Sequence, residues 1–271
     1  MHIKSFIEKK VLKKRVYLYR ILIVFLGFII LTPARSQQVK IENLPFFDNK
    51  EYHFGFFLGV NQMLFTVKTK PDFQNEYYLQ SQFPEYNSDI ARVLDIGVVP
   101  TYGFNVGIIS DLKLSNHFNL RFTPELQFGE RILAYDIEYI YRGTTDTIFG
   151  HEKRISSTLL NFPLTLKYKG NRINNMRPYL LLGGKLSMDL GAQATKTVNA
   201  NERDITVKLF RDDVYAEAGV GFDFYFNWFK MSTEIKMSYG LSQMMLFEKN
   251  IWADPIQSIS SKVFQFNLTF E

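Results

Sequence analysis

The chain has 271 residues, with 32 Lys and Arg against 27 Asp and Glu, and no cysteine. Its formal charge of +5 would suggest an anionic partner, but residues 1–36 hold eight of the bases and one of the acids, leaving 24 bases against 26 acids. Electrostatic attraction to nucleic acid is therefore not expected, and disulfides, thiolate metal sites and a lipid-anchored cysteine are excluded.

The N-terminus carries a basic stretch ending at Arg20, an apolar run over 21–31, and Ala34-Arg35-Ser36 with small residues at the first and last positions. That is the pattern of a secretory signal peptide, and cleavage is expected before Gln37. The apolar run has eleven residues, short of the roughly 18 that a spanning helix needs, so an uncleaved anchor is the weaker alternative.

Beyond residue 36 the hydrophobicity is distributed by alternation. A first, imperfect stretch covers 53–67, weakened by Gly55 and Gly59. Tyr102, Phe104, Val106, Ile108, Leu112 and Leu114 then oppose Asn105, Asp111 and Lys113. Phe118, Leu120, Phe122, Leu126 and Phe128 oppose Asn119, Arg121, Thr123, Glu125 and Gln127. Similar stretches follow over 160–168, 180–190, 214–226, 229–241 and 264–270. A strand sorts such residues onto two faces and a helix does not. Pro124 and Pro163 fall inside these stretches. Each removes a ladder donor, so local bulges are expected there.

Eight such strands imply an all-β protein. The connections at 115–117, 170–175 and 227–228 are short, whereas 68–100, 134–154, 191–211 and 242–260 are long. Short and long connections alternate in closed antiparallel transmembrane β-barrels of the outer membrane, with periplasmic turns and extracellular loops. The expected organisation is a signal peptide at 1–36, a periplasmic segment at 37–52 and the barrel at 53–271. Tyr168, Tyr179, Phe226, Trp228 and Phe229 lie near the short turns and are expected to form an aromatic girdle.

The opposite face of the strands carries Asp111, Lys113, Arg121, Glu125, Lys167, Lys185, Asp189, Glu217, Asp223, Glu234 and Lys236. An eight-stranded barrel is just wide enough for its own side chains to fill it. Charges confined there must pair. A salt-bridged interior is expected, rather than a conducting pore.

Catalytic signals are sparse. His151 lies near Ser156 and Ser157 at a loop–strand junction, where a lipid hydrolase is conceivable, but a solvated loop histidine is the commoner case. Asp72, Glu76, Glu85 and Asp89 lack compact calcium-ligand spacing. No catalytic, cofactor-binding or metal residues are expected, and no cofactor.

An ordered series of motifs runs through the chain: Asn43-Leu44-Pro45-Phe46-Phe47-Asp48, His53-Phe54-Gly55-Phe56, Gly103-Phe104-Asn105-Val106-Gly107, Phe162-Pro163-Leu164, Arg172-Ile173-Asn174-Asn175-Met176-Arg177-Pro178-Tyr179, Gly219-Val220-Gly221-Phe222-Asp223 and Glu234-Ile235-Lys236-Met237. In this series the chain resembles the PorT (SprT) family of Bacteroidetes from about residue 43 to 271. The resemblance implies a non-enzymatic component of the type IX secretion system, which exports proteases, adhesins and gliding proteins bearing a C-terminal domain. It implies outer-membrane lipid and other secretion components as partners, and assigns no catalytic residues. The alternatives are an outer-membrane enzyme acting on lipid A or a cargo anchor, and a surface adhesin or defence barrel. Leu44, Phe46 and Phe47 precede the first strand. Adjacent aromatics there fit either docking onto a secretion partner or burial under the barrel floor.

Overall fold

The computed structural model describes residues 42–83, 88–191, 207 and 209–271. The expected signal peptide, residues 37–41 of the expected periplasmic segment, and most of the connection at 191–211 lie outside the described residues. Within Glu42–Glu271 the chain forms β1 (Tyr52–Thr69), β2 (Tyr78–Leu79), β3 (Ile90–Val99), β4 (Thr101–Lys113), β5 (Phe118–Phe122), β6 (Glu125–Tyr141), β7 (Thr144–Lys169), β8 (Met176–Asp189), β9 (Asp212–Tyr225), β10 (Lys230–Gly240) and β11 (Ile256–Phe270).

These elements make eight staves of a closed barrel. β3 runs into β4 across Pro100, and β5 into β6 across Thr123-Pro124. The antiparallel ring then passes β4, β5–β6, β7, β8, β9, β10, β11 and β1, and closes where β1 pairs with β4 (Phe56↔Ile108) and with β11 (Phe56↔Phe270). Closure leaves the bilayer-spanning wall without an edge, as hydrocarbon requires.

The expected bulges at the prolines do not form. Pro124 interrupts the stave, yet β5 and β6 keep one register against β7, from Phe118↔Tyr168 through Glu125↔Asn161. Pro163 stays in step with Lys185 of β8. The carbonyls on either side take up the slack, since Ile108 N donates to Pro124 O and Thr123 N to Pro163 O. The register shifts lie higher, at Lys68/Thr69, Val93/Asp95 and Tyr135/Ile137.

The outer wall is apolar: Leu182 is 68 % exposed, Ile108 61 % and Leu186 59 %. A continuous belt of this kind is stable only against lipid. Tyr168, Phe226, Trp228 and Phe229 are exposed at the short-turn rim, with Phe226 and Phe229 stacked at 5.0 Å. Tyr179 does not join that girdle. It is buried in the lumen, because it shares the inward parity of Arg177 and Leu181, and its hydroxyl donates to Glu234 at 2.7 Å. Gly55 and Gly59, which blur the alternation of β1, face inward. A Cβ on Gly55 would lie 2.2 Å from Phe270 O, and one on Gly59 would strike the Asn105 and Asn267 amides.

The long connections depart furthest from expectation. Residues 134–154 are not a loop: β6 and β7 continue as a hairpin to Arg142-Gly143, where φ is 48° and 79°, the two positive values of a type I′ turn. Residues 68–100 contain β2 and β3, and β3 pairs with the β6 extension. The reason is a change of phase. In the bilayer the apolar residues face out (Phe54, Phe56, Leu58 and Val60 in β1; Leu126 in β6). Above it they face in (Met63 and Phe65 in β1; Leu133, Tyr135 and Ile137 in β6; Val263 and Ile259 in β11). A strand leaving lipid for water must invert which face is greasy.

The inverted faces, with side chains from the connections, form a hydrophobic core over the extracellular mouth. It includes Phe65, Phe73, Tyr78, Phe83, Leu133, Tyr135, Met245, Ile251, Ile256 and, at its centre, Trp252. Trp252 is fully buried. It is met edge-on by Tyr135 at 5.0 Å, stacked by His151 at 5.0 Å, and its carbonyl accepts from Tyr135 Oη at 2.7 Å. Trp252→Ala should destabilise this cap by about 3–5 kcal/mol. Hydrogen exchange should rise over 70–83 and 244–256, while the heat-modifiable gel migration of a closed barrel persists.

Candidate functional site: a filled lumen closed at both ends

Inward parity brings the lumen's polar side chains into layers. Nearest the short turns, Arg121 is the hub. Its guanidinium reaches Asp111 on β4 at 3.0 Å, Glu234 on β10 at 2.5 Å and the C-terminal residue Glu271 at 3.0 Å. Asn119 also donates to Asp111, and Lys230 holds the other oxygen of Glu271 at 2.6 Å. Lys167 donates to both oxygens of Asp223 at 2.9 Å, and its ammonium lies 3.7 Å from the Tyr179 ring centroid.

In the next layer Glu217 accepts from Lys236 at 3.2 Å and Ser238 at 2.9 Å, with Lys185 at 4.0 Å. Glu125 has no ion pair among the described residues. Three amides solvate it instead: Asn161 at 2.8 Å, Gln265 at 3.0 Å and Asn105 at 3.4 Å. Above lies an apolar layer of Met63, Leu159, Tyr215 and Val263. Arg131 follows, pairing with Asp189 at 2.9 Å and taking Ser157 and Ser261 as acceptors.

Asp111, Arg121, Glu125, Lys167, Lys185, Asp189, Glu217, Asp223, Glu234 and Lys236 are thus all buried in the lumen. Lys113 is half-buried at the mouth and donates to the Asp48 carbonyl at 2.8 Å. Lys230, on the polar face of the stretch at 229–241, joins them, as do Glu271 and Arg131, which lie outside the alternating stretches of the sequence. The parity that marks Arg121 and Glu125 also marks Arg131, beyond the point at Phe128 where the outward apolar series stops.

Segment 42–50 closes the periplasmic mouth. A single 3₁₀ turn at Phe47–Asn49 sets Phe47 under the barrel, stacked on His53 at 4.3 Å and edge-on to Tyr225 at 6.3 Å. Asp48 pairs with Arg177 at 3.1 Å and accepts from Tyr225 Oη at 2.8 Å. Phe47 is therefore part of the floor and not a free docking side chain. Leu44 is half-buried with φ 51°, and Phe46 is 75 % exposed.

The remaining chemical candidates lie apart. Ser157 faces Arg131 in the lumen, Ser156 donates to Glu130, and His151 packs on Trp252 in the cap. Asp72 begins a 3₁₀ turn, Glu76 accepts from Tyr78, and Asp89 accepts from the Arg142 amide. Glu85 lies outside the described residues. Among the described residues no group of three or more His, Asp or Glu is placed to hold a metal.

On the extracellular side a polar clasp fastens the cap: Lys70 pairs with Asp254 at 2.6 Å, and Tyr78 Oη donates to Asp254 at 3.1 Å. Burial alone would raise the Asp254 pKa, but the Lys70 ammonium and the Tyr78 hydroxyl outweigh it and hold it below the ordinary 3.8. A depressed carboxylate stabilises the fold above its unfolded pKa, and that contribution is lost as pH falls through the lower folded value. In a Trp228→Phe background, acrylamide quenching of Trp252 should therefore rise below about pH 4. Lys70→Met should abolish that step.

Three carboxylates depend on one guanidinium in the lower layer. Arg121→Leu removes their shared cation, leaving Lys230 for Glu271 but only neutral donors for Asp111 and Glu234, and should cost about 3–5 kcal/mol. The measurement is the urea midpoint of the refolded barrel in detergent. Lys113→Leu, at the half-exposed mouth, should cost much less.

A lipid-facing apolar wall, a closed antiparallel ring and a polar lumen together define an integral outer-membrane β-barrel. The chain belongs to the outer membrane protein beta-barrel domain family, whose sequence profile matches residues 36–246. Among solved structures, the outer membrane protein OprG from Pseudomonas aeruginosa aligns over 80 % of this chain and 93 % of its own, at 13 % identity and a TM-score of 0.38. No curated protein matches the chain.

Proposed function

We infer that this barrel is a non-enzymatic component of the type IX secretion system, needed for export of cargo proteins that carry a C-terminal domain. The observation that carries the reading is the ordered motif series from Asn43-Leu44-Pro45-Phe46-Phe47-Asp48 to Glu234-Ile235-Lys236-Met237, in which the chain resembles the PorT family. The filled lumen supports it. A barrel packed with ion pairs and capped at both mouths acts through its surfaces, as an assembly or accessory part does. Its partners in this reading are bilayer lipid along the wall and other secretion components in the periplasm, where Phe46 is an exposed aromatic of the floor segment.

The deciding experiment is a deletion strain. Cargo should accumulate in the periplasm. Normal secretion with altered lipid A would point instead to an enzyme, and normal secretion with lost adhesion to an adhesin or defence barrel. A finer test separates the roles of the adjacent aromatics. Phe46→Ser should lower export at unchanged barrel level, whereas Phe47→Ser should loosen the floor and raise protease sensitivity near residue 50. Normal export by Phe46→Ser would remove that side chain from the contact.

A further inference from the structure

The floor is built as a receptor holding a peptide. Segment 42–50 crosses the periplasmic mouth, and its backbone is gripped from the barrel side. Arg172, in the turn after β7, donates to the carbonyls of Asn43 and Leu44, and Lys113 donates to that of Asp48 at 2.8 Å. Asn175 accepts from the Asn43 amide at 2.9 Å. Main-chain contacts of this kind fit any chain that takes up the same turn, and by themselves select no side chain.

Three side chains supply selectivity. Asn43 Nδ2 donates to the Tyr225 carbonyl at 3.0 Å. The Phe47 ring stacks on His53 and lies beneath the Lys230 ammonium, 4.7 Å from its centroid. The Asp48 carboxylate takes a charged donor from Arg177 and a hydroxyl from Tyr225. Tyr225 is itself fixed by the Arg172 guanidinium, 3.8 Å from its ring. The cations Lys113, Lys169, Arg172 and Arg177 gather at this mouth, and Lys169 makes no ion pair among the described residues. The acids above them, Asp111, Asp223 and Glu271, are already engaged by Arg121, Lys167 and Lys230. Of the two carboxylates in the segment, Glu42 and Asp48, it is Asp48 that pairs with a cation of this mouth.

We propose that the periplasmic mouth is a binding site for a short, turn-forming peptide in which an aromatic residue is followed by a carboxylate, and that segment 42–50 is a tethered occupant which an incoming partner displaces. The proposal does not depend on the secretion assignment. The tether gives the resident segment an effective concentration on the order of millimolar. A free competitor meets a site that is occupied and not absent.

The test uses the full chain in detergent and a fluorescent peptide of residues 42–50, blocked at both ends. Wild type should bind it weakly. The variant Phe47→Ala/Asp48→Asn, which weakens the resident segment and leaves the receptor intact, should bind it about tenfold or more tightly, as removal of a tethered competitor requires. Adding Arg177→Gln should cancel the gain, and a peptide carrying the same Ala and Asn replacements should not bind. Equal binding by wild type and variant, or equal binding of the altered peptide, would overturn the proposal. If the variant does not reach the folded, heat-modifiable form, hydrogen exchange on wild type decides. Excess peptide should speed exchange over 47–50, and unchanged exchange would refute displacement.

Discussion

Hydrocarbon leaves no water for an unpaired backbone group, and the rest of this structure follows from that constraint. The sheet must close, so β1 finds both β4 and β11. Closure assigns each residue to lipid or lumen with a period of two. The lumen of eight staves is too narrow to hydrate charges freely. Each inward ion therefore needs a protein partner. Arg121 meets this need for Asp111, Glu234 and Glu271 together, and so ties β4, β5, β10 and the C-terminal residue into one node. The interaction that neutralises the interior thus also joins strands far apart in the chain.

The lumen's order along its axis is consistent with a structural filling. Charged groups flank the apolar cluster of Met63, Leu159, Tyr215 and Val263, which adds dry packing to the ion pairs. Glu125 shows the other solution available in a tight space, in which Asn105, Asn161 and Gln265 stand in for a counter-ion. Amide donors do this without adding charge, and they leave Lys185 and Lys236 to Glu217.

The wall and lumen were legible because one rule governs them. Alternation placed Phe104 and Leu164 outside and Asp111, Arg121 and Glu234 inside. Tyr179 lies near a turn, but its parity with Arg177 and Leu181 sends it into the lumen and not into the girdle. The cap was not legible, for a physical reason. Leu133, Tyr135 and Ile137 alternate as well as any membrane strand, but on the opposite phase. A reader who expects greasy residues to face lipid sees the pattern break at Arg131 and infers a loop. The inversion is itself a usable signal: it marks the level at which the solvent outside the wall changes from lipid to water. The floor was half legible. Two aromatics before the first strand indicated a contact surface, but only the geometry separates Phe47, turned under the barrel, from Phe46, turned away.

The two closures differ in the forces that hold them, and this difference bears on where the protein acts. The cap is an apolar core around Trp252, continuous with β6, β7 and β11, so opening it would expose large hydrophobic side chains and break strand pairing. Such an element moves only with partial unfolding. The floor is a short segment attached at one end to β1. It is held by a few charge-assisted hydrogen bonds and one stacked ring beside periplasmic water. Contacts of that kind are modest against water and exchange readily for equivalent ones from another chain. If the barrel has a working face, the energetics favour the periplasmic mouth, where a resident peptide can be replaced without loss of the fold.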